Sequence, residues 1–332
     1  MNKTACTFPL ELNEDIFKLK PVCKKYIWGG KKLIQDYHKS ANTETVAETW
    51  ELSSHEQGVC EIASGVLKGI NFVDFLQKAD QSILGQKCMQ CEKFPLLIKL
   101  IDAQQALSIQ VHPDDSYALK NENEYGKAEM WYVIDCEEDA FIYYGFKKNV
   151  TQKEIEQKLN KGTFTDLLNK VRIQKGNVIY IAPGIIHALG PGVLVYEIQQ
   201  NSNCTYRVYD YNRTDEFGNQ RELHLNKAFQ VLNFHMQKAE IQTIPEEVSR
   251  GYKRQCLLSN KYFVTEKYEV IKQCILHVTS QSFLAVTVID GCGLMKGKHC
   301  TLEVQKGDTM FITAGEKEIT IIGNCECLLS HI

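Results

Sequence analysis

Three short stretches of this chain carry side chains that could do chemistry together. In Leu107-Ser108-Ile109-Gln110-Val111-His112-Pro113, strand alternation puts Ser108, Gln110 and His112 on one face and Leu107, Ile109 and Val111 on the other. A polar row backed by an apolar row suits a strand whose inner face lines a site. In Gly126-Lys127-Ala128-Glu129-Met130-Trp131, the same alternation aligns Lys127, Glu129 and Trp131. In Pro183-Gly184-Ile185-Ile186-His187-Ala188, a single histidine follows a tight turn among apolar residues. Taken singly, each has an ordinary structural explanation. Together, two imidazoles, a carboxylate and an amide oxygen form a donor set for a borderline divalent ion with a coordination position left open. Zinc is the expected metal, although two histidines and one carboxylate equally describe non-haem iron.

The elements that must position these residues read as strands. Phe94–Asp102, Ala106–His112, Met130–Asp135, Ala140–Tyr144, Val178–Ala182, Val193–Gln199 and Tyr206–Tyr211 are short, rich in β-branched and aromatic residues, and bounded by Gly, Asn, Asp or Pro. Helical signals are few. Asn71–Ala79 has helical spacing, Leu223–Phe234 reads as a helix closing the first half, and Thr151–Val171 reads as one or two amphipathic helices with Thr151 as N-cap and Glu154 three residues on. The polar stretch Gln237–Gly251, broken by Pro245, marks a boundary.

Beyond that boundary the chain repeats itself weakly. Val171–Gly184 lies over Leu302–Gly315, and Trp131–Asp135 over Val286–Asp290. The cadence of strand, Lys-Gly turn, strand and Gly turn is that of a small antiparallel barrel. The expected fold is therefore mainly β: two tandem cupin-type β-barrels of jelly-roll form, with a helical insertion in the first. Residues 1–236 would form the catalytic domain, with the insertion at about 151–171. Residues 245–332 would form a degenerate second barrel without a metal site, because Leu284 stands opposite Glu129 in the repeat and Glu318 opposite His187.

Composition narrows the function. A 332-residue chain with 44% hydrophobic and 24% charged residues supports a sizeable core. A formal net charge of -3 gives no global electrostatic support for a nucleic-acid partner. No run of 18 apolar residues argues for a membrane span, and the N-terminus, acidic at Glu11, Glu14 and Asp15, lacks a leader's apolar core. The expected location is the cytoplasm. The thirteen cysteines are then expected as free thiols, with Cys88-Met89-Gln90-Cys91 the one pair at redox or zinc spacing.

At this point the sequence resembles a known family. Tyr26-Ile27-Trp28-Gly29-Gly30, Ala47-Glu48-Thr49-Trp50-Glu51, Leu97–Ala103, Leu107–Asp114, Gly126–Tyr132, Pro183–Ala188, Glu197-Ile198-Gln199-Gln200 and Thr205–Asp210 look like type I mannose-6-phosphate isomerase, in its Bacillus-like class I branch. The resemblance covers roughly residues 8–235. It implies a zinc-dependent aldose–ketose isomerase, one Zn2+ per chain, interconverting mannose 6-phosphate and fructose 6-phosphate through an enediol(ate). It puts the metal on His112, Glu129 and His187 with Gln110 as fourth ligand, and the family's active-site arginine at Arg207. Glu197, on the strand after His187, is the candidate base. Asn203 stands where many members have Asp, and Tyr211 where they often have Trp or Phe.

No P-loop is present, so a sugar phosphate would need local positive charge. Lys99, Lys127 and Arg207, with the Ser108 hydroxyl, are the candidates. The partner implied is a small sugar phosphate, with no nucleic acid or membrane, on a monomer or weak homodimer. Two rival readings stay open: an iron-dependent cupin oxygenase using the same ligands, and a non-catalytic sugar-binding module.

Overall fold

A computed structural model describes residues 14–332 apart from 216, 242 and 243. Most of the N-terminal stretch that argued against a leader lies outside the described residues. The strands form three antiparallel sheets. A six-stranded sheet runs in the order Val178–Ile181, Glu129–Cys136, Val193–Gln200, Leu96–Ala103, Glu48–Leu52 and Val22–Lys24. A five-stranded sheet runs Tyr206–Tyr209, Ile109–Val111, His187–Leu189, Phe141–Phe146 and Leu168–Arg172. A ten-stranded sheet gathers the strands from Glu247 to His331 together with Ile16–Lys20 and Glu61–Ile62.

The molecule is mainly β, but its hydrogen-bonded ladders do not close. Among the described residues no sheet closes on itself, so neither half is a closed ring of strands. What encloses the first half is sheet-on-sheet packing. Ile101, Trp131, Val133, Ile179 and Val195 of the six-stranded sheet share one core with Ile142, Tyr144 and Leu189 of the five-stranded sheet. The outer face of the five-stranded sheet, with Ile109, Val111 and Phe146, is covered by Ile155, Phe164 and Ala228 from the helical segments. The opposite face of the six-stranded sheet, with Leu96, Ile98 and Leu100, packs on Phe311 and Leu328 of the ten-stranded sheet and on Phe283, which precedes its strand Leu284–Lys296.

This second contact is aromatic. Phe72 and Phe311 lie 5.1 Å apart edge to face, and Phe94 and Phe283 lie at the same separation. Removing a fully buried ring such as Phe311 costs about 3–5 kcal/mol. The N-terminal strand adds a hydrogen-bonded tie, because Ile16–Leu19 pairs with Ile312–Thr309 far along the chain.

The internal repeat is visible in strand register. Ile179 lies opposite Trp131 and Ile181 opposite Glu129, as Met310 lies opposite Val286 and Ile312 opposite Leu284. Both Lys-Gly turns use the left-handed region, Gly176 at φ 88 and Gly307 at φ 93, which glycine alone enters without strain. The second copy buries Leu284 in an apolar core, and the Glu318 side chain stays largely exposed.

The expected helices are shorter than their sequence patterns. Asn71 caps Phe72–Lys78, Thr151 accepts from the Glu154 amide to cap Gln152–Asn160, and the third helix spans Leu225–Val231. The helical reading of 151–171 needs correction. After Gln152–Asn160 and a 3₁₀ turn at Phe164–Leu167, residues 168–171 belong to the strand Leu168–Arg172, where Leu168 pairs with Phe146. Gly162, at φ 68, ends the helix early, and the polar composition of Leu-Asn-Lys-Val-Arg hid an edge strand. Asp114 caps a further helix, Asp115–Asn121.

Candidate metal centre and adjoining cavity

The three stretches singled out from the sequence meet between the two sheets of the first half. His112 follows the strand Ile109–Val111, Glu129 opens Glu129–Cys136, and His187 opens His187–Leu189. One ligand atom from each lies within 4.8 Å of the others, and all three residues are buried. Among the described residues they are the one His/Cys/Asp/Glu group so arranged. Glu129 Oε2 is 3.3 Å from His112 Nε2, and Glu129 Oε1 is 3.2 Å from His187 Nε2.

Each imidazole is oriented from behind. The Nδ1 of His112 contacts the Cys204 carbonyl at 3.1 Å, and that of His187 contacts the Ile185 carbonyl at 2.9 Å. A carbonyl can only accept, so Nδ1 carries the proton and the Nε2 lone pair faces Glu129 in both rings. Trp131 closes on His187 edge to face at 5.4 Å. Burial, then the Lys127 charge, pushes the His112 imidazole down to about 3, which keeps it neutral. Burial alone would raise the Glu129 carboxyl, yet Lys127 and the imidazoles hold it well below its usual range.

The chemistry of this set fits a divalent ion. Glu129 Oε1 and His187 Nε2 are both buried and lack a hydrogen-bond partner although they stand 3.2 Å apart, because with the proton on Nδ1 both atoms are acceptors. Two orphaned lone-pair atoms aimed at one point are what a cation would satisfy. The other two ligand atoms are met by Lys127, whose Nζ donates to Glu129 Oε2 at 2.6 Å and to His112 Nε2 at 3.1 Å.

A cavity of about 210 Å³ adjoins the cluster. Ser108, Gln110, Lys127, Lys99, Glu197 and Arg207 all line it, so every substrate and catalytic candidate opens onto one space. Gln110 sits in the central register, opposite His187 on one side and Arg207 on the other. Ser108 accepts from Arg207 Nε at 3.3 Å. Burial, then the neighbouring Arg221, lowers the Arg207 guanidinium from its ordinary value.

Glu197 lies across from Lys99 on one neighbouring strand and Trp131 on the other. It pairs with Lys99 Nζ at 3.0 Å and accepts from Trp131 Nε1 at 2.7 Å. Its ion-pair partner is thus Lys99, and Arg207 is free for other work. Burial alone would lower the Lys99 ammonium, but Glu197 and Glu48 hold it above its ordinary value.

Tyr26, Trp28, Glu48 and Arg221 also line the cavity and carried no site role in the sequence reading. The first three fall inside the motifs quoted for the resemblance, and that was their available signal. Tyr26 and Trp28 stack at 5.5 Å, and burial pushes the Tyr26 hydroxyl up to about 12. Arg221 comes from a polar loop with no local signature. Every described cysteine is a free thiol. Burial, then Cys91, pushes Cys88 up to about 12, and burial raises Cys91. Thiols so suppressed are poor nucleophiles, which argues for packing over redox work.

Fold and site together define a β-sandwich protein in which a buried His-Glu-His group that could hold a metal ion lies beside a cavity lined by lysines and arginines. The phosphomannose isomerase type I catalytic domain matches residues 16–161, and the mannose-6-phosphate isomerase cupin domain matches residues 253–332. Mannose-6-phosphate isomerase ManA of Bacillus subtilis is 36% identical, over 94% of this chain and 98% of its own length. Mannose-6-phosphate isomerase of Streptococcus mutans is 34% identical, over 96% and 98%. The crystal structure of the mannose 6-phosphate isomerase from Bacillus subtilis superposes with a TM-score of 0.89 at 36% identity, covering 96% of this chain and all of that one. A point mutant of phosphomannose isomerase from Salmonella typhimurium, 14% identical, shares the fold at a TM-score of 0.75. The chain belongs to the type I phosphomannose isomerase family. No described helix is long and apolar enough to cross a membrane.

Proposed function

We propose that this chain interconverts D-mannose 6-phosphate and D-fructose 6-phosphate, using one zinc ion held by His112, Glu129 and His187 with the Gln110 amide oxygen. The observation that carries the reading is the convergence of three buried ligand atoms beside a cavity lined by two lysines and two arginines. A close relative named for this activity, matched over nearly its full length, supports it.

Isomerisation moves a proton between C2 and C1 of the sugar through an enediol(ate). Zinc supplies Lewis acidity for the negative charge that develops on the sugar oxygens, an effect worth several kcal/mol. Glu197 removes the proton from one carbon and returns it to the other. Trp131 and Lys99 fix both of its oxygens toward the cavity. Arg207, steadied by Ser108, faces the substrate as a planar cation. Tyr26 and Trp28 give the sugar ring an apolar wall. Lys127 balances the buried Glu129 carboxylate.

In this reading residues 1–236 form the catalytic unit, and residues 245–332 form a second, metal-free cupin domain that buttresses it. The protein works in the cytoplasm as a monomer or weak homodimer. A coupled assay from mannose 6-phosphate to glucose 6-phosphate, with and without chelator, tests the proposal. Activity that chelator abolishes and zinc restores is expected. Oxygen uptake with ferrous iron, or sugar binding without turnover, would replace it with one of the rival readings.

A further inference from the structure

The four cations of the cavity are not equally committed. Lys127 donates to Glu129 and His112, and Lys99 pairs with Glu197. Both ammonium groups serve carboxylates inside the site. The two guanidiniums differ. Arg207 donates through Nε to Ser108 and through Nη1 to the Glu222 carbonyl at 2.6 Å. Arg221 donates through Nε to Asp210 Oδ2 at 2.8 Å and through Nη2 to Asp210 Oδ1 at 2.5 Å. A guanidinium carries five N–H donors. Among the described residues, Nη2 of Arg207 and Nη1 of Arg221 therefore have no partner, and both residues line the same cavity.

Arg221 reaches this position from a loop, which raises the question of what fixes it there. Asp210, itself buried, also accepts from Arg213 Nη2 at 2.5 Å. Arg213 is anchored a second time, by Nη1 to the Ala106 carbonyl at 2.6 Å, and does not line the cavity. Between Asp210 and Arg213 the backbone holds Tyr211 at φ 57 and Asn212 at φ 55, two consecutive left-handed residues, one of them bulky. A double ion pair on Asp210 over-determines this costly turn. One arginine locks the loop, and the other is presented to the cavity.

We propose that Arg221 is a specificity-determining residue for the phosphoryl group: its free edge and that of Arg207 grip the phosphate oxygens of a sugar phosphate, and Asp210 acts as the positioning residue that aims Arg221. The assignment rests on the isomerase reading for its substrate, yet the site it describes takes a phosphate dianion whatever reaction follows. Two guanidinium edges suit a tetrahedral dianion better than two lysines already spent on carboxylates.

The test uses the full-length zinc-loaded protein with three probes: inorganic phosphate by calorimetry, mannose 6-phosphate by turnover, and unphosphorylated mannose by competition. In Arg221→Gln, phosphate affinity should fall and the KM for mannose 6-phosphate should rise, each by about tenfold to a hundredfold, with kcat within about threefold of wild type. Mannose should bind as before. Arg221→Lys, which keeps a charge on Asp210, should fall between the two and guards against a collapsed loop. Unchanged phosphate affinity in Arg221→Gln, or equal loss of mannose and mannose 6-phosphate, overturns the proposal. A wild type that binds phosphate through Arg221 but does not isomerise mannose 6-phosphate would remove the reaction and leave the anion site standing.

Discussion

Glu129 Oε1 and His187 Nε2 face each other at 3.2 Å, both buried and both without a hydrogen bond. Such a pair is costly on its own terms, because a buried unsatisfied polar group loses about 1–3 kcal/mol of solvation. A divalent ion between them and His112 removes that cost. Wild-type protein purified with zinc should therefore hold about one ion, and His187→Ala should lose both the ion and activity. Chelation should also lower the melting temperature of the wild type, since a ligand bound only to the native state stabilises it. Metal content and thermal scans check this, and a His187→Ala protein that keeps its metal and turnover removes His187 from the ligand set.

Glu197 sits in a different electrostatic setting, fixed by the Trp131 indole and the Lys99 ammonium. Glu197→Gln keeps an acceptor for Trp131 and touches none of the metal candidates. Zinc content should stay at the wild-type level while turnover drops by about 10²–10⁴-fold. Product formed in deuterated water should lose its solvent-derived deuterium in step with the rate. Near-normal turnover with normal isotope incorporation would move the base to another residue.

The site was legible in the sequence where its geometry is local. Ser108, Gln110 and His112 share a face because strand side chains alternate, and Lys127 reaches Glu129 for the same reason. The parallel between Glu129 and Leu284 could be read from the repeat and reappears as strand register. What depends on remote pairing was not legible. The match of Ile16–Leu19 to Ile312–Thr309 spans nearly the whole chain, and nothing near either end announces it. Whether facing sheets close into a ring is likewise set by strand partners and not by strand content. Arg221 reaches the cavity only because Asp210 and Arg213 fold its loop back, and no spacing rule carries that information.

Acid should act on the first half through Glu124. Burial pushes its carboxyl up, but hydrogen bonds from His55, the Asn203 amide and the Ser202 hydroxyl outweigh this and hold it down at about 2. A carboxyl depressed in the folded state contributes stability that is complete above its unfolded value, near 4.5, and is lost as pH falls from there toward 2. Urea titrations should show wild type and Glu124→Gln differing most at neutral pH and converging as the pH approaches 2. A gap that stays constant over that range would mean the carboxylate charge adds nothing to stability.

A buried ion pair of the first half is hydrogen-bonded to the second. Lys39 Nζ lies 2.6 Å from Glu51 Oε1, and the Glu51 carboxylate also accepts from Thr49 and from Thr309 of the second half. Glu51 belongs to the same strand as Glu48, whose side chain approaches Lys99 in the cavity wall, so the second half steadies that wall through one carboxylate. Glu51→Gln leaves the buried Lys39 ammonium without a countercharge, held only by the Gly307 carbonyl and an amide oxygen, and should cost about 3–5 kcal/mol in urea unfolding. Replacing both members together, as Lys39→Met with Glu51→Leu, removes the uncompensated charge along with the pair and should cost much less. If the double variant is instead as unstable as the sum of the two single ones, the pair is not coupled, and the halves are held by the Ile16–Leu19 strand pairing and the aromatic contacts instead.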